Sequence, residues 1–166
     1  MKKPFKFINP GRLVDGDLEL ILVRKHPADS AKKHVPSYEF KMRRIGRSQK
    51  AGYITLRVGS ARALHYRGHI GYRVNKRYRG HRYGARSCRP LGPPGGLLLP
   101  LALAHGLKSV WLSTGTRNVA SQRTCELAGA RYVDTVRIPK DHPIYKWSCY
   151  MRRYRINVKK ELQSNR

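Results

Sequence analysis

Carboxylates are scarce in this 166-residue chain: nine Asp and Glu stand against 36 Lys and Arg, a formal net charge of +27. They are also unevenly placed. Asp15, Asp17, Glu19, Asp29 and Glu39 precede residue 40, Glu126 comes next, and nothing acidic lies between. Such a surface repels cations and attracts polyanions. Cysteine is sparse too. Cys88, Cys125 and Cys149 are odd in number and far apart, which argues against a disulfide framework and a Cys-rich metal site. The longest apolar run, 97–104, is broken by Pro100 and falls far short of the roughly 20 residues of a membrane span. The first ten residues contain no apolar segment long enough for a secretory signal. These absences lead us to expect one soluble, cytoplasmic domain over 1–166, monomeric or homodimeric, with no membrane partner and no metal.

The 40% hydrophobic fraction suffices for a core. After an irregular arm at 1–14, side chains alternate with the period of half-buried strands. Leu18, Leu20 and Leu22 share a face near 18–24, Tyr38, Phe40 and Met42 near 38–44, Ile54, Leu56 and Val58 in a third run, and Ile70, Tyr72 and Val74 near 69–74. Residues 47–52 read as a hairpin connection. A basic turn at 75–84 then opens a helical stretch, interrupted by Pro90 and by Gly92-Pro93-Pro94-Gly95-Gly96 and resuming over 97–105. Gly106 reads as its C-terminal cap. A buried strand is expected at 107–112, a helix at 119–128 capped by Asn118 and closed by Gly129, and two further strands at 131–138 and 149–156. The tail from 157 is polar. Strands followed by helical crossovers indicate a mixed α/β sheet in which 69–74 and 107–112 are parallel neighbours.

The chemistry concentrates in Arg79-Gly80-His81-Arg82-Tyr83-Gly84-Ala85. A turn at a helix start presents backbone N–H groups without helical partners, which suit a phosphate. An ordinary strand-to-helix connection is the plainer alternative. The segment 67–89 interleaves arginines with Tyr72, Tyr78 and Tyr83, a pattern that also suits stacking on bases. A solvated basic face is the alternative there.

These residues resemble the GNAT N-acetyltransferase superfamily. Its signature, an Arg or Gln, two residues, a Gly, one residue and a Gly or Ala, follows a strand like Ile-Gly-Tyr-x-Val. The chain matches at Ile70, Gly71, Tyr72, Val74, Arg79 and Gly84, and departs where Arg82 replaces the first glycine. Asn118, Ser121, Gly129 and Ala130 match a second motif after the following strand, and the likeness covers about 18–156. It implies a mixed, mostly antiparallel central sheet flanked by helices, with residues 90–96 as an insertion. It also implies acetyl-CoA as co-substrate: main-chain groups of Tyr72, Arg73 and Val74 for the acyl and pantetheine parts, 79–85 for the pyrophosphate, and Asn118 beside the pantetheine. The acceptor would be an amine on a small molecule or a protein. No carboxylate lies near the fourth strand, so the base falls to His69, to Glu39 or to solvent. Cys125 occupies the superfamily's general-acid position, where a buried structural thiol is the alternative. A catalytically inactive scaffold binding nucleic acid, the ribosome or an acidic protein is the competing reading.

Overall fold

The computed structural model describes residues 3–88 and 97–164. The alternating segments become strands β1 (Leu13–Asp15), β2 (Leu18–His26), β3 (Ser37–Arg44), β4 (Lys50–Arg57) and β5 (Ile70–Val74). A 3-10 turn at Lys76–Tyr78 leads to α1 (Tyr83–Cys88) and α2 (Leu99–Ala104). Then follow β6 (Ser109–Gly115), α3 (Val119–Leu127), β7 (Arg131–Arg137), β8 (Tyr150–Asn157) and α4 (Val158–Ser164). The eight strands form one sheet in the order β1-β2-β3-β4-β5-β6-β8-β7. Every pairing is antiparallel except β5 with β6. The expected parallel pair is therefore present, and it is brief: Ile70 opposite Leu112 is its one registered partner pair.

One face of the sheet carries Tyr38, Phe40, Met42, Ile54, Leu56, Ile70, Leu112 and Ile156. Tyr83, Ala85, Cys88, Leu98, Leu99 and Ala102 from α1 and α2, and Cys125 and Ala128 from α3 and its cap, join them in a single core. The opposite face presents Glu39, Lys41, Tyr53, Thr55, Arg57 and Arg73, the polar set that the period of two demands.

Two expectations need correcting. The arm 1–14 is not wholly irregular, because Leu13 and Val14 enter the edge strand β1. The polar tail folds as α4, anchored by fully buried Val158 and by Leu162 packed on the core one turn later. Two apolar residues were too few to show as a pattern.

The proposed insertion 90–96 lies outside the described residues. On either side of it, the Leu98 N–H donates to the Ser87 carbonyl at 3.1 Å. Discounting the seven residues of 90–96 turns a separation of 98 − 87 = 11 into four, the α-helical spacing. Deleting 90–96 is therefore expected to leave a folded protein with one uninterrupted helix. Its stability should rise by about 2 kcal/mol, the loop-closure entropy no longer lost on folding. Thermal unfolding measures this, and a lower melting temperature would contradict it.

Candidate active site

The ladder of β5 to β4 is bracketed by Arg57 N–H to His69 O at 2.7 Å and Asn75 N–H to Ala51 O at 2.8 Å. Antiparallel alternation between these bonds commits the main chain of Gly71 and Arg73 to β4. It turns the N–H and C=O groups of Tyr72 and Val74 toward β6. Beyond Leu112 β6 no longer pairs with β5, so these groups face a gap in the sheet. The resemblance named Tyr72, Arg73 and Val74 together. The register leaves the gap to Tyr72 and Val74, while Arg79 Nε binds the Val74 carbonyl at 3.3 Å.

A cleft of about 490 Å³ opens at this gap. Tyr72, Arg73 and Val74 form one wall, the turn from Arg79 to Ala85 a second, and α3 with its cap Asn118 a third. Every cofactor residue anticipated from the sequence lines it except His81. The His81 ring instead accepts a bond from Arg44 Nη2 at 2.9 Å and stacks on Tyr83. Ser121, Arg123, Thr124 and Leu127 complete the lining. These four were not anticipated from the sequence. The face that is buried carries Cys125 and Ala128.

The turn is built for main-chain exposure. Gly80 adopts a φ of +89°, and a Cβ there would meet open space. Arg82 also lies in the left-handed region, at φ +58°. An arginine thus holds a conformation that favours glycine, at a cost of roughly 1–2 kcal/mol. The first helical bond, Arg86 N–H to Arg82 O at 2.8 Å, leaves the N–H groups of Tyr83, Gly84 and Ala85 without helical partners. Two early carboxylates hold α1 in place: Arg86 bonds Asp15 and Asp17 at 2.9 Å each, and the Tyr83 hydroxyl donates to Asp17 at 2.7 Å. No carboxylate lines the cleft, whereas Arg73, Arg79, Arg82 and Arg123 do.

Gly84 has a second role besides lining the cleft. A Cβ there would lie 3.0 Å from Cε2 of Tyr72 and 3.2 Å from Cγ2 of Thr124. It lets α1 pack against β5 and α3, and so sets the position of the Tyr72 ring. The Tyr72 hydroxyl in turn meets Ser121 Oγ at 3.2 Å. Burial raises its pKa above the usual 10, outweighing hydrogen bonds from Ser121 and Thr124, so the phenol stays protonated.

Neither anticipated catalytic side chain reaches the cleft. His69 is 1% exposed. Its Nε2 donates to the Gly59 carbonyl at 2.9 Å and its Nδ1 accepts the Trp111 N–H at 3.0 Å. Both nitrogens are occupied, and burial lowers its pKa, so it is a neutral brace between β5 and β6 rather than a base. Cys125 is fully buried, and burial together with the Glu126 charge pushes its thiol up to about 12. It packs the core. Glu39 lies two strands from β5 and bonds His26 Nε2 at 2.7 Å.

No protein-family model matches the sequence, and no curated protein matches it significantly. Solved structures do resemble it. A GNAT-family acetyltransferase from Bacillus anthracis superposes with a TM-score of 0.54 at 18% identity, over 73% of this chain and 66% of that one. A protein from Chromobacterium violaceum assigned to the same family gives 0.62 at 13% identity, over 96% and 92%. The microcin C7 self-immunity acetyltransferase, solved with acetyl-CoA and AMP, gives 0.52 at 14% identity, over 77% and 63%. The chain thus spans just under two thirds of the first and third of these proteins. Its fold is that of the GNAT acetyltransferases. Among the described residues no group of His, Cys, Asp or Glu is placed to hold a metal, and no helix is long and apolar enough to cross a membrane.

Proposed function

We propose that the protein transfers an acetyl group from acetyl-CoA to an amine. The observation that carries this reading is the cleft at the parting of β5 and β6. It combines free main-chain groups, a turn of unpaired N–H groups and a lining that has arginines but no carboxylate. These residues fit the co-substrate. The N–H groups of Tyr83, Gly84 and Ala85 with Arg79 and Arg82 suit a diphosphate. The free Nδ2 of Asn118, whose Oδ1 caps Ser121 N–H at 3.0 Å, suits an amide carbonyl. The Tyr72 main chain and the Val74 N–H are left for the acyl end.

Acetyl-CoA, when bound, supplies a thioester open to attack by the amine. The chain orients the two and excludes water. Tyr72 is the protonated phenol on the β5 wall of the cleft, and we assign it to protonate the departing sulfur. With His69 braced and Glu39 bound to His26, the amine proton passes to solvent.

Acetyl-CoA is expected to raise the melting temperature, since a ligand of the native state stabilises it, and an amine panel should release free thiol from it. Gly84→Val should abolish both, because the added methyls push Tyr72 and Thr124 into the cleft. Overpacking of this kind costs about 1–3 kcal/mol, so the variant still folds. Binding by the variant equal to that of the wild type would remove the assignment.

The charge of +27 supports a second reading, a scaffold that binds nucleic acid. That protein would release no thiol and would bind RNA with a steep negative salt slope.

A further inference from the structure

A larger cavity, about 1050 Å³, lies on the polar face of the sheet. Its walls are Thr55 and Arg57 of β4 and the three loops at 27–35, 62–67 and 139–143. Three arginines line it, Arg57, Arg62 and Arg67, and among the described residues none of them forms an ion pair. The carboxylates on the walls do not answer them. Asp29 is bound to Lys32 and caps that residue's N–H, and Asp141 stands on the outer loop at no ion-pair distance from any of the three.

Arg57 is the unusual member. It is partly buried, and among the described residues the one hydrogen bond of its guanidinium is from Nη1 to the Gly68 carbonyl at 3.3 Å. Its guanidinium lies across Gly71, where a Cβ would come within 2.8 Å of Nη2. Burial and the charge of Arg67 lower its pKa to about 10. A guanidinium withdrawn from water beside a second cation, with no counter-ion, is unfavourable until an anion joins it. A guanidinium is planar and bidentate, so carboxylate and phosphate both match it. The position matters as much as the charge. Gly71, beneath the guanidinium, is followed directly by Tyr72 in the wall of the acetyl-CoA cleft, and just past this point β5 and β6 part. Cavity and cleft therefore approach each other from the two faces of β5.

We propose that this cavity receives the acceptor by an oxyanion, carboxylate or phosphate, held by Arg57 with Arg67, so that the amine acetylated belongs to an acidic molecule. The proposal rests on the acetyl-transfer reading for the amine and on the cavity itself for the anion. A polycationic amine would be opposed both by these arginines and by the surrounding field.

The test begins without acetyl-CoA. Orthophosphate and succinate are titrated separately at constant ionic strength into the wild type, Arg57→Gln, Arg67→Gln and a control, Arg131→Gln, on the exposed edge strand β7. The expected result is at least tenfold weaker binding in the first two variants and unchanged binding in the control. The tighter ligand of the pair identifies the group as phosphoryl or carboxyl. Equal affinity in all four proteins overturns the proposal. The second arm compares thiol release with short peptides carrying N-terminal Asp or phosphoserine and with their neutral Asn and Ser counterparts. A tenfold or greater preference in kcat/KM for the acidic peptides, lost in Arg57→Gln, supports the proposal. Transfer to all peptides without preference overturns it and leaves acetyl transfer standing. Anion binding that depends on Arg57, with no transfer to any peptide, upholds the anion site and counts against acetyl transfer.

Discussion

Replacing His69 with leucine is expected to destabilise the protein by about 3 kcal/mol while leaving the shape of its pH–rate profile unchanged. Leucine keeps much of the volume but leaves the Trp111 N–H and the Gly59 carbonyl without partners, at roughly 1–3 kcal/mol each. The stability difference should also depend on pH, in a direction set by burial. Burial holds His69 below the ordinary imidazole value of 6.5, so the unfolded chain binds this proton more readily than the native one. The stabilisation from neutral His69 is thus complete above 6.5 and is lost as the pH falls below it. The leucine variant has no such proton to bind. The difference between the two proteins should shrink from pH 7 to pH 5 in denaturant titrations. His65, His105 and His142 shift in the same direction but are common to both proteins. A constant difference, or a pH–rate profile that flattens near neutrality, would return His69 to the role of base.

Replacing Tyr72 with phenylalanine should lower turnover about 10²-fold, the usual minimum for a positioned proton donor, with acetyl-CoA affinity nearly unchanged. The ring still packs against Gly84, and only the hydroxyl's contacts to Ser121 and Thr124 are lost. In the reaction assigned to it, the amine nitrogen bonds the acetyl carbon and the carbon–sulfur bond breaks. The sulfur takes the phenol proton, solvent restores that proton, and solvent removes the one on the amine. Because burial keeps the phenol protonated, wild-type activity should persist to pH values near 10. Thiol release under saturating acetyl-CoA measures the effect, and an unaffected kcat would leave protonation to water. Cys125→Ser offers a useful contrast. Its thiol is sealed in the core, so its loss should appear in stability rather than in turnover.

Local signals carried far in this chain. The period of two located β2 to β5 to within a few residues, since alternation records which side chains face a core, whatever that core contains. Asn118 marked the start of α3 because a cap acts on its own next three residues. Ten of the eleven residues anticipated for the co-substrate line one cleft, and His81 is the exception. The errors have a common origin. His69 looked like a base because its partners, Gly59 and Trp111, are 10 and 42 residues away. The packing role of Gly84 stayed hidden because nothing nearby in sequence discloses Tyr72 and Thr124 against it. Cys125 looked catalytic because spacing along a helix does not say which side of it is covered.

By itself, then, the order of residues determined the sheet, its faces, the helix caps and the exposed main chain of the turn at 79–85, all properties set within a few residues along the chain. Only the tertiary structure decided which ionisable groups are available. It buried His69 and Cys125, turned Tyr72 into the cleft, and left Arg57 without a carboxylate, because burial and counter-charge come from strands and loops far apart in the sequence.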